Sequence, residues 1–337
     1  MPKRIKPQGD ELKELITRYH HCTHQQKLAL ADEYAVSYAT MKNWINQEYR
    51  PLPPHFKWSK TATWEEHIEI FKLMDMLTAD HQYIPPEISF DIPTELPIGI
   101  TFTADWQLGL FGVDYDSFAR DMKSIESELG LYCYPGGDGY QNTIQPEKSG
   151  SSHNQIPIAP QKGLYVQVLQ FLRKKIIAVG TGNHNYWAQL ATGEDWDFEL
   201  ARRLNVLYTK HGGMIDLRVG EMVYPIFRLH KGRFESSFNP THSCKQYQRL
   251  HAPRARIVVV EHRHIAAMEQ ARYNDCECVY IRPGTYAVYD DFAQQHGYYG
   301  QHVANPTVIL YPYEDKLIGF KDMHDSIVYL REARNGN

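Results

Sequence analysis

Four short polar motifs, each directly after an apolar run, constrain the fold of this chain more than any other feature. The motifs are Asp105-Trp106-Gln107, Gly137-Asp138, Gly182-Asn183-His184-Asn185 and His262-Arg263-His264. The runs before them span 98–104, 131–134, 176–179 and 257–260, and their apolar and aromatic residues predict buried strands of an α/β sheet. Ligand sites of such sheets lie at the carboxyl ends of strands, so we expect the motifs to share one edge.

The side chains in these motifs are those that hold divalent metals in proteins. Two carboxylates, an asparagine and several histidines at one sheet edge would form a cage of oxygen and nitrogen ligands. The pattern therefore predicts a metal-dependent phosphoesterase.

Composition limits the class of protein. The chain has 337 residues, of which 42% are hydrophobic and 23% charged, as in a globular protein with one large core and a smaller module. No apolar run approaches the roughly 20 residues that cross a bilayer, and the basic N-terminus lacks the apolar part of a signal peptide, so we expect a cytoplasmic protein without membrane contact. The five scattered cysteines predict reduced thiols. A net charge of -4 argues against nucleic acid binding over the whole surface.

Residues 1–50 predict a separate helical domain. Apolar spacing predicts helices over Asp10–His20 and Thr23–Tyr34, and Ser37 is a candidate N-cap for a third helix through Ile45. A helix, a short turn and a capped helix resemble the helix-turn-helix that reads the DNA major groove. Residues 1–60 carry ten Lys and Arg against six Asp and Glu, which favours DNA.

The third helix would carry the groove contacts, through the exposed residues Tyr38, Thr40, Lys42 and Asn43. A packing or oligomerisation module is the alternative, because helix-turn-helix geometry alone carries no chemistry.

Residues 51–96 predict a linker with one helix. Its prolines, Pro51 to Pro54, predict a stiff spacer. The helix follows, with an apolar stripe that we expect to pack against the next segment: Trp64, Ile68, Phe71 and Met74.

The main domain is predicted over 97–337. Helices predicted over Asp116–Leu129 and Gly163–Lys174 cross between the strands, which gives a β-α-β-α-β order and a largely parallel sheet. The polar segment Thr143–Pro160 predicts a surface loop beside the second motif.

Five motifs in order resemble the calcineurin-like metallophosphoesterase family, and more closely its DNA-repair exonuclease branch of phage and bacterial genomes. The family pattern is D-x-H, G-D-x-x-D-N, G-N-H-D or G-N-H-E, a lone His, and G-H-x-H. The matching segments lie within about residues 97–337: 105–107, 137–142, 182–185, His230 and 261–264. The resemblance implies a four-layer α/β/β/α metallophosphoesterase sandwich.

The resemblance also implies two metals that share Asp138: Asp105, Gln107 and His264 hold one, and Asn183, His230 and His262 hold the other. Two cations about 4 Å apart lower the pKa of a shared water and neutralise phosphate oxygens during in-line displacement. His184 would stabilise the transition state or protonate the leaving oxygen.

Several residues depart from the family pattern. Gln107 replaces a His, and its amide oxygen favours Mn²⁺ or Mg²⁺ over Zn²⁺. Gln141 replaces the Asp that orients the catalytic His, and Asn185 replaces the acid after Gly-Asn-His, so the site has less negative charge. Glu261 replaces a Gly and either returns a carboxylate to the site or points away. Asn142 orients Asp138, binds substrate or caps the loop.

Two further choices stay open. His242 competes with His230 as the ligand of the fourth motif, because a single His after a strand is usually structural. The tryptophans that flank the motifs either stack on a base or belong to the core: Trp106, Trp187 and Trp196.

The sequence thus predicts a phosphodiesterase with two divalent metals, Mn²⁺ first and Mg²⁺ or Zn²⁺ as alternatives, that cleaves nucleic acid, with DNA as the expected substrate. A homodimer is one option for its oligomeric state. The amides motivate a rival hypothesis, a catalytically silent DNA-binding protein on the same scaffold. A phosphoesterase for a small nucleotide or a phosphoprotein is the third.

Overall fold

The computed structural model describes residues 6–20, 22–48, 63–82, 87–144, 156–288 and 303–336. The chain divides into two compact units, Met1–His81 and Gln82–Asn337. The predicted spacer Pro51–Pro54 and most of the predicted loop Thr143–Pro160 lie outside the described residues. The functional division into 1–50, 51–96 and 97–337 stays a prediction.

Three short helices pack together in the first unit: α1 (Asp10–His20), α2 (His24–Glu33) and α3 (Tyr38–Glu48). They occupy the segments that helical periodicity predicts. Side-chain caps fix the N-termini of α2 and α3. The Thr23 side chain accepts the Gln26 N–H, and Ser37 Oγ accepts the Thr40 N–H at 3.1 Å. Their common core has seven buried side chains: Leu12, Leu15, Tyr19, Leu30, Ala31, Met41 and Ile45.

The fourth helix, α4, spans Trp64–Gln82. Its predicted stripe remains substantially exposed, at 69% for Trp64, 40% for Ile68, 49% for Phe71 and 41% for Met74. Packing of this stripe against the next segment stays a prediction. Apolar side chains also lie between the stripe positions, as at Leu73, so the sequence of this helix specifies no single buried face.

The second unit contains twelve strands among its described residues: β1 (Glu87–Ile92), β2 (Ile98–Thr103), β3 (Leu131–Pro135), β4 (Ala178–Val179), β5 (Leu207–Tyr208), β6 (Gly212–Val219), β7 (Met222–Leu229), β8 (Ile257–Val260), β9 (Ala267–Tyr273), β10 (Cys276–Arg282), β11 (Thr307–Leu310) and β12 (Leu317–Phe320). The helices in the same described residues are α5 (Tyr115–Ser127), α6 (Ile158–Phe171), α7 (Asn183–Thr192), α8 (Trp196–Leu204), α9 (His242–Leu250) and α10 (Met323–Asn335).

The strands form two mixed sheets, with orders β1-β6-β7-β8-β10-β9 and β12-β11-β2-β3, and β4 pairs with β5. The predicted β-α-β-α-β order has parallel pairing, as between β2 and β3, but the complete sheets are mixed because hairpins and the β11–β2 pair add antiparallel neighbours. The hairpin from β9 to β10 turns at Asn274 and Asp275, whose φ values are +48° and +61°. Two positive φ values in a two-residue loop match the right-handed twist of the flanking strands.

The edge strand β1 lies in the segment predicted as linker. It pairs in parallel with β6, with Ile88 opposite Ile215 and Ile92 opposite Val219. Ile88, Phe90 and Ile92 alternate with polar residues, which is a strand signal. The prolines on both sides obscure it, because proline argues against strand interiors but is tolerated beside edge strands.

The predicted crossover helices are present as α5 and α6. Helix α6 begins at Ile158, earlier than the predicted Gly163. The earlier start includes Pro160, and a helix tolerates proline in its first turn because the N–H groups there have no intrahelical partner.

Buried clusters define four layers in this unit. Phe102 of β2 and Leu217 of β6 belong to the core between the two sheets. Helices α5, α6 and α10 cover the outer face of the four-stranded sheet, and α9 covers that of the six-stranded sheet through Cys244 and Val258. The predicted α/β/β/α sandwich is confirmed.

Among the described residues, no helix has the length and apolar character needed to cross a membrane. The cytoplasmic location stays a prediction.

Candidate metal centre

The polar motifs meet at one edge of the sandwich. Asp105 follows β2, Asp138 follows β3, His262 follows β8, and His230 comes directly after β7. Ligand atoms of these four residues all lie within 4.8 Å of one another. Two carboxylates and two imidazoles this close together can surround a divalent cation.

The backbone turns sharply where the motifs leave their strands. Asp105, Gln107, Asp138, His262 and His264 have φ values of +50°, +51°, +55°, +78° and +58°. This left-handed region costs a non-glycine residue about 1–2 kcal/mol, and such conformations concentrate at functional sites. The Gln107 N–H donates to the Asp138 carbonyl at 3.0 Å, which holds the first two motifs side by side.

The Asp138 carboxylate lies at the centre of the cluster. Its Oδ1 accepts the backbone N–H of His184 at 3.0 Å, and its Oδ2 lies 3.1 Å from Nε2 of His230. Burial raises the pKa of this carboxyl, but the charges of His184 and His230 outweigh burial and hold the pKa well below its usual range. Asp138 is therefore an ionised, buried ligand candidate.

His230 presents Nε2 to the cluster. That nitrogen also lies 3.1 Å from Asn183 Oδ1, while Nδ1 lies 3.1 Å from Glu261 Oε2. Burial lowers the pKa of His230, but the Asp138 and Glu261 carboxylates outweigh burial and raise the pKa to about 10. A cation among the same oxygens would take the place of the proton, because metal binding requires a neutral imidazole.

Glu261 supports the cluster from behind. Its Oε2 accepts the Gly137 N–H at 3.0 Å, next to Asp138 in the chain. Arg228 is fully buried and donates to both carboxylate oxygens, at 2.7 and 2.5 Å. The sequence leaves open whether Glu261 points towards the site; in the structure its carboxylate contacts the ligand candidate His230 and is neutralised by Arg228. The sequence does not single out Arg228, although a charged residue in an otherwise apolar strand is a signal.

Three buried atoms in the centre have no hydrogen-bond partner within the described part of the chain: Asp105 Oδ1, Gln107 Oε1 and His262 Nδ1. An unsatisfied buried polar atom costs about 1–3 kcal/mol. A divalent cation would satisfy two oxygens and an imidazole nitrogen together, so these residues fit one. Burial and the charge of His230 lower the pKa of His262 to about 4, which keeps its imidazole in the neutral form that binds metal.

His264 lies beside this group and is less buried. Its Nε2 is 3.5 Å from Asp105 Oδ1 and 3.4 Å from Gln107 Nε2. The structure therefore brings together all seven predicted ligand residues, with Asn183 joined to the cluster through His230.

Two glycines allow the motifs to approach so closely. A Cβ atom on Gly182 would overlap the carboxylate and the backbone nitrogen of Asp138. A Cβ atom on Gly137 would lie 2.5 Å from His230 Nδ1 and 2.6 Å from the Gly182 Cα. Packing around the ligands thus requires glycine at both positions.

His184 is the second residue of α7 and lies against Asp138. Its Nδ1 is hydrogen-bonded to the Gln141 carbonyl, and its Nε2 is 3.8 Å from Asp138 Oδ2. Because a carbonyl only accepts, Nδ1 carries the hydrogen and Nε2 faces the cluster. The Trp187 ring packs on the imidazole, with ring centroids 4.6 Å apart.

The predicted supporting residues lie around His184. The Gln141 side chain donates to Thr143 at 2.7 Å, so its main chain rather than its side chain orients His184. Asn142 Nδ2 donates to the His184 carbonyl at 2.9 Å and so supports this residue rather than Asp138. Asn185 Nδ2 donates to Asp197 at 2.7 Å.

Asp197 is a buried acid that the sequence does not single out. Its Oδ2 also accepts the Thr181 hydroxyl at 2.5 Å, and burial raises the pKa of the Asp197 carboxyl to about 6. Through Asn185 it ties the start of α7 to α8. No pattern marks it, because an acid in the first turn of a helix is common without any special role.

The structure shows where the residues lie whose roles the sequence leaves open. His242 begins α9 and does not belong to the four-residue cluster, which contains His230. Trp106 is 1% exposed and packs edge-on to Phe118, and Trp196 packs against the same core. Trp187 alone of the three contacts His184.

The predicted DNA-contacting residues differ in exposure. Lys42 and Asn43 are exposed on α3. Tyr38 is half-buried, with its hydroxyl 3.2 Å from that of Tyr19, and half-buried Thr40 is hydrogen-bonded to Ser37. The prediction that all four are exposed is therefore wrong for Tyr38 and Thr40, because both contribute to packing and capping of the helices.

No protein family model and no curated protein sequence matches this chain. Among solved structures, it is similar to the calcineurin-like phosphoesterase YfkN from Bacillus subtilis, at 10% identity and a TM-score of 0.38 over 71% of this chain and 100% of that chain. It is also similar to the Pseudomonas putida nuclease MPE, at 10% identity and a TM-score of 0.31 over 66% of this chain and 87% of that chain. A third similar structure is Chaetomium thermophilum Vps29, at 10% identity and a TM-score of 0.32 over 67% of this chain and 95% of that chain. Likenesses this distant carry no argument about function, which rests on the site.

Proposed function

We propose that this chain is a calcineurin-like, two-metal phosphodiesterase that cleaves nucleic acid, with DNA as its substrate. One observation carries the proposal: ligand atoms of Asp105, Asp138, His230 and His262 lie within 4.8 Å of one another at strand ends. Asp105 Oδ1, Gln107 Oε1 and His262 Nδ1, which lack a hydrogen-bond partner among the described residues, support the same use of the cluster.

In this proposal Asp105, Gln107 and His264 would hold one ion, Asn183, His230 and His262 would hold the other, and both sets would share Asp138. The two ions, when bound, would neutralise phosphate oxygens and acidify a water. The oxygen of Gln107 favours Mn²⁺ or Mg²⁺, since a harder ligand suits these ions better than Zn²⁺.

His184 would assist the leaving oxygen. Its Nδ1 hydrogen is held by the Gln141 carbonyl, and Trp187 fixes the ring plane, so the second proton of an imidazolium would sit on Nε2, towards Asp138. This contact favours catalysis over a silent scaffold, because the main chain supplies the orientation that the family obtains from an acid.

The N-terminal helices would bring DNA to the enzyme as a helix-turn-helix. Three features support this DNA-binding role: the short turn between α2 and α3, the Ser37 cap, and the exposed side chains of Lys42 and Asn43 on α3. Lys42→Ala should weaken binding of duplex DNA, whereas unchanged affinity would favour a packing role for these helices.

Metal content and hydrolysis test the proposal together. The purified chain should bind two Mn²⁺ ions and hydrolyse bis(4-nitrophenyl) phosphate and labelled DNA in Mn²⁺. Asp138→Asn and His184→Ala should lower the rate by about 100-fold or more, since general acid–base groups contribute 10²–10⁴-fold. Equal rates in the wild type and both variants would assign the activity to a contaminant. A chain that binds no metal would contradict the proposal.

A further inference from the structure

A ten-residue loop, 231–240, follows His230 and borders the metal centre. Glu235 Oε2 lies 3.6 Å from Arg263 Nε, and Arg263 stands between His262 and His264. The nearly buried Arg282 donates to both Glu235 oxygens, at 2.6 and 3.2 Å. Glu235 therefore ties the loop to the motif that carries two ligand candidates.

The loop backbone is held in place by specific contacts. The Arg233 N–H donates to the Tyr247 hydroxyl at 2.8 Å, and the Phe234 ring packs edge-on to the Tyr247 ring at 5.5 Å. Ser236 Oγ accepts the N–H groups of Phe238 and Asn239, at 3.3 and 3.2 Å. These bonds hold the main chain at Phe238 although its side chain contributes nothing to the fold.

The Phe238 ring is 100% exposed. Burying a phenylalanine side chain is worth about 1.5–3 kcal/mol, so a phenylalanine kept in water on an anchored loop has that free energy available for a ligand. A flat aromatic face on the loop that follows His230 suits a nucleobase, because every base has a π-face that stacks on such a ring.

The 231–240 loop and the motif that it contacts carry more cations than acids. Lys231 and Arg233 are exposed on the loop, and the Arg263 side chain is 43% exposed. Lys231 directly follows the ligand candidate His230 in the chain. Glu235, the one acid of the loop, is paired with Arg282. Two exposed cations and an exposed ring on one loop, with Arg263 on the adjoining motif beside Glu235, match a polyanion with bases.

We propose that the 231–240 loop binds single-stranded nucleic acid beside the metal centre, with Phe238 stacked on a base and Lys231, Arg233 and Arg263 at the neighbouring phosphates. The strand must be single because paired bases are stacked on their neighbours and do not offer a face. This inference rests on the proposed function and names the form of its substrate.

Binding without catalysis tests the loop directly. The full chain is titrated into a fluorescein-labelled oligothymidylate in EDTA, with fluorescence anisotropy as the readout. Phe238→Ala should weaken the affinity about tenfold, and Phe238→Trp should retain it, since stacking on any aromatic ring is sequence-tolerant. Leu129→Ala is the matched control: Leu129 is 74% exposed and precedes β3, at the opposite end of the strand from Asp138.

The salt dependence of the oligonucleotide affinity tests whether Lys231 and Arg233 contact phosphates. Replacing Lys231 and Arg233 with Gln should make the oligonucleotide affinity less dependent on salt, because fewer counterions are released from single-stranded DNA. An unchanged salt dependence would contradict their contact with phosphates.

Oligonucleotide binding tests the loop, and hydrolysis tests the proposed function, so the two can fail separately. Equal oligonucleotide affinity of the wild type and Phe238→Ala would overturn the loop as a nucleic acid site, and would leave a protein partner as the ligand for Phe238. An equal loss of affinity for duplex and single-stranded DNA would overturn the single-strand preference. The proposed function is judged separately, by whether the wild type hydrolyses bis(4-nitrophenyl) phosphate in Mn²⁺.

Discussion

His230 is held by Glu261, whose Oε2 lies 3.1 Å from His230 Nδ1 and so leaves Nε2 to face Asp138. A carboxylate behind a ligating histidine fixes the ring and raises its basicity, and loss of such a partner costs about 10–100-fold in metal affinity. We predict that Glu261→Gln weakens Mn²⁺ binding by at least tenfold in a calorimetric titration. Glu269→Gln is the control, since Glu269 lies on β9 and pairs with Lys245 of α9. Equal affinities of the two variants would contradict a supporting role for Glu261.

Arg228 matters to stability as well as to the site. Its removal in Arg228→Met takes from the buried Glu261 the guanidinium that contacts both carboxylate oxygens, which should lower the free energy of unfolding by about 3–5 kcal/mol. The double variant Arg228→Met/Glu261→Leu should recover most of that stability in urea unfolding but not the Mn²⁺ affinity. Recovery of both would mean that the pair serves folding alone.

Gly182 is predicted to be irreplaceable. In Gly182→Ala the new methyl group overlaps Asp138, so we expect a loss of about 1–3 kcal/mol, as for other overpacked sites, together with weaker Mn²⁺ binding. Gly163→Ala is the matched control for Gly182→Ala. Gly163 lies inside α6 with nothing within 4 Å of an added Cβ, so alanine there should stabilise the fold by about 0.5–1 kcal/mol. Similar unfolding free energies for the two variants would contradict the close approach at Gly182.

Asp197 should make stability depend on pH. Burial raises the pKa of its carboxyl from 3.8 to about 6 in the folded protein. Between these values the folded state binds the proton more tightly than the unfolded state, so its stability falls as pH rises, by about 3 kcal/mol in all. Asp197→Asn should therefore gain stability relative to the wild type from pH 4 to pH 7, in urea unfolding with EDTA. A constant difference across this range would contradict the raised pKa.

The parts of the fold that the sequence predicts correctly are local. The apolar runs before Asp105, Asp138 and His262 form β2, β3 and β8, and the helical spacing before and after Ser37 forms α2 and α3. Periodicity reports which residues of one segment share a face, and it needs no knowledge of the partner.

Pairings between distant segments are the parts that the sequence misses. Strand β1 obtains its partner from β6, far along the chain, and the hairpins that make both sheets mixed depend on how the segments meet. The same holds for Arg228 and Glu261. They come together because Leu229 pairs with Val260 where β7 lies beside β8, and a shift of one residue would turn Arg228 to the other face.

The amino-acid sequence alone determines which ligand types this chain offers, and in what order after its apolar runs, because residue chemistry and hydrophobic periodicity are properties of each segment. The tertiary structure alone decides which atoms converge: His230 rather than His242, the main-chain oxygen of Gln141 rather than its side chain, and Arg228 behind Glu261. These choices depend on sheet order and strand register, which are set by packing between segments far apart in the chain.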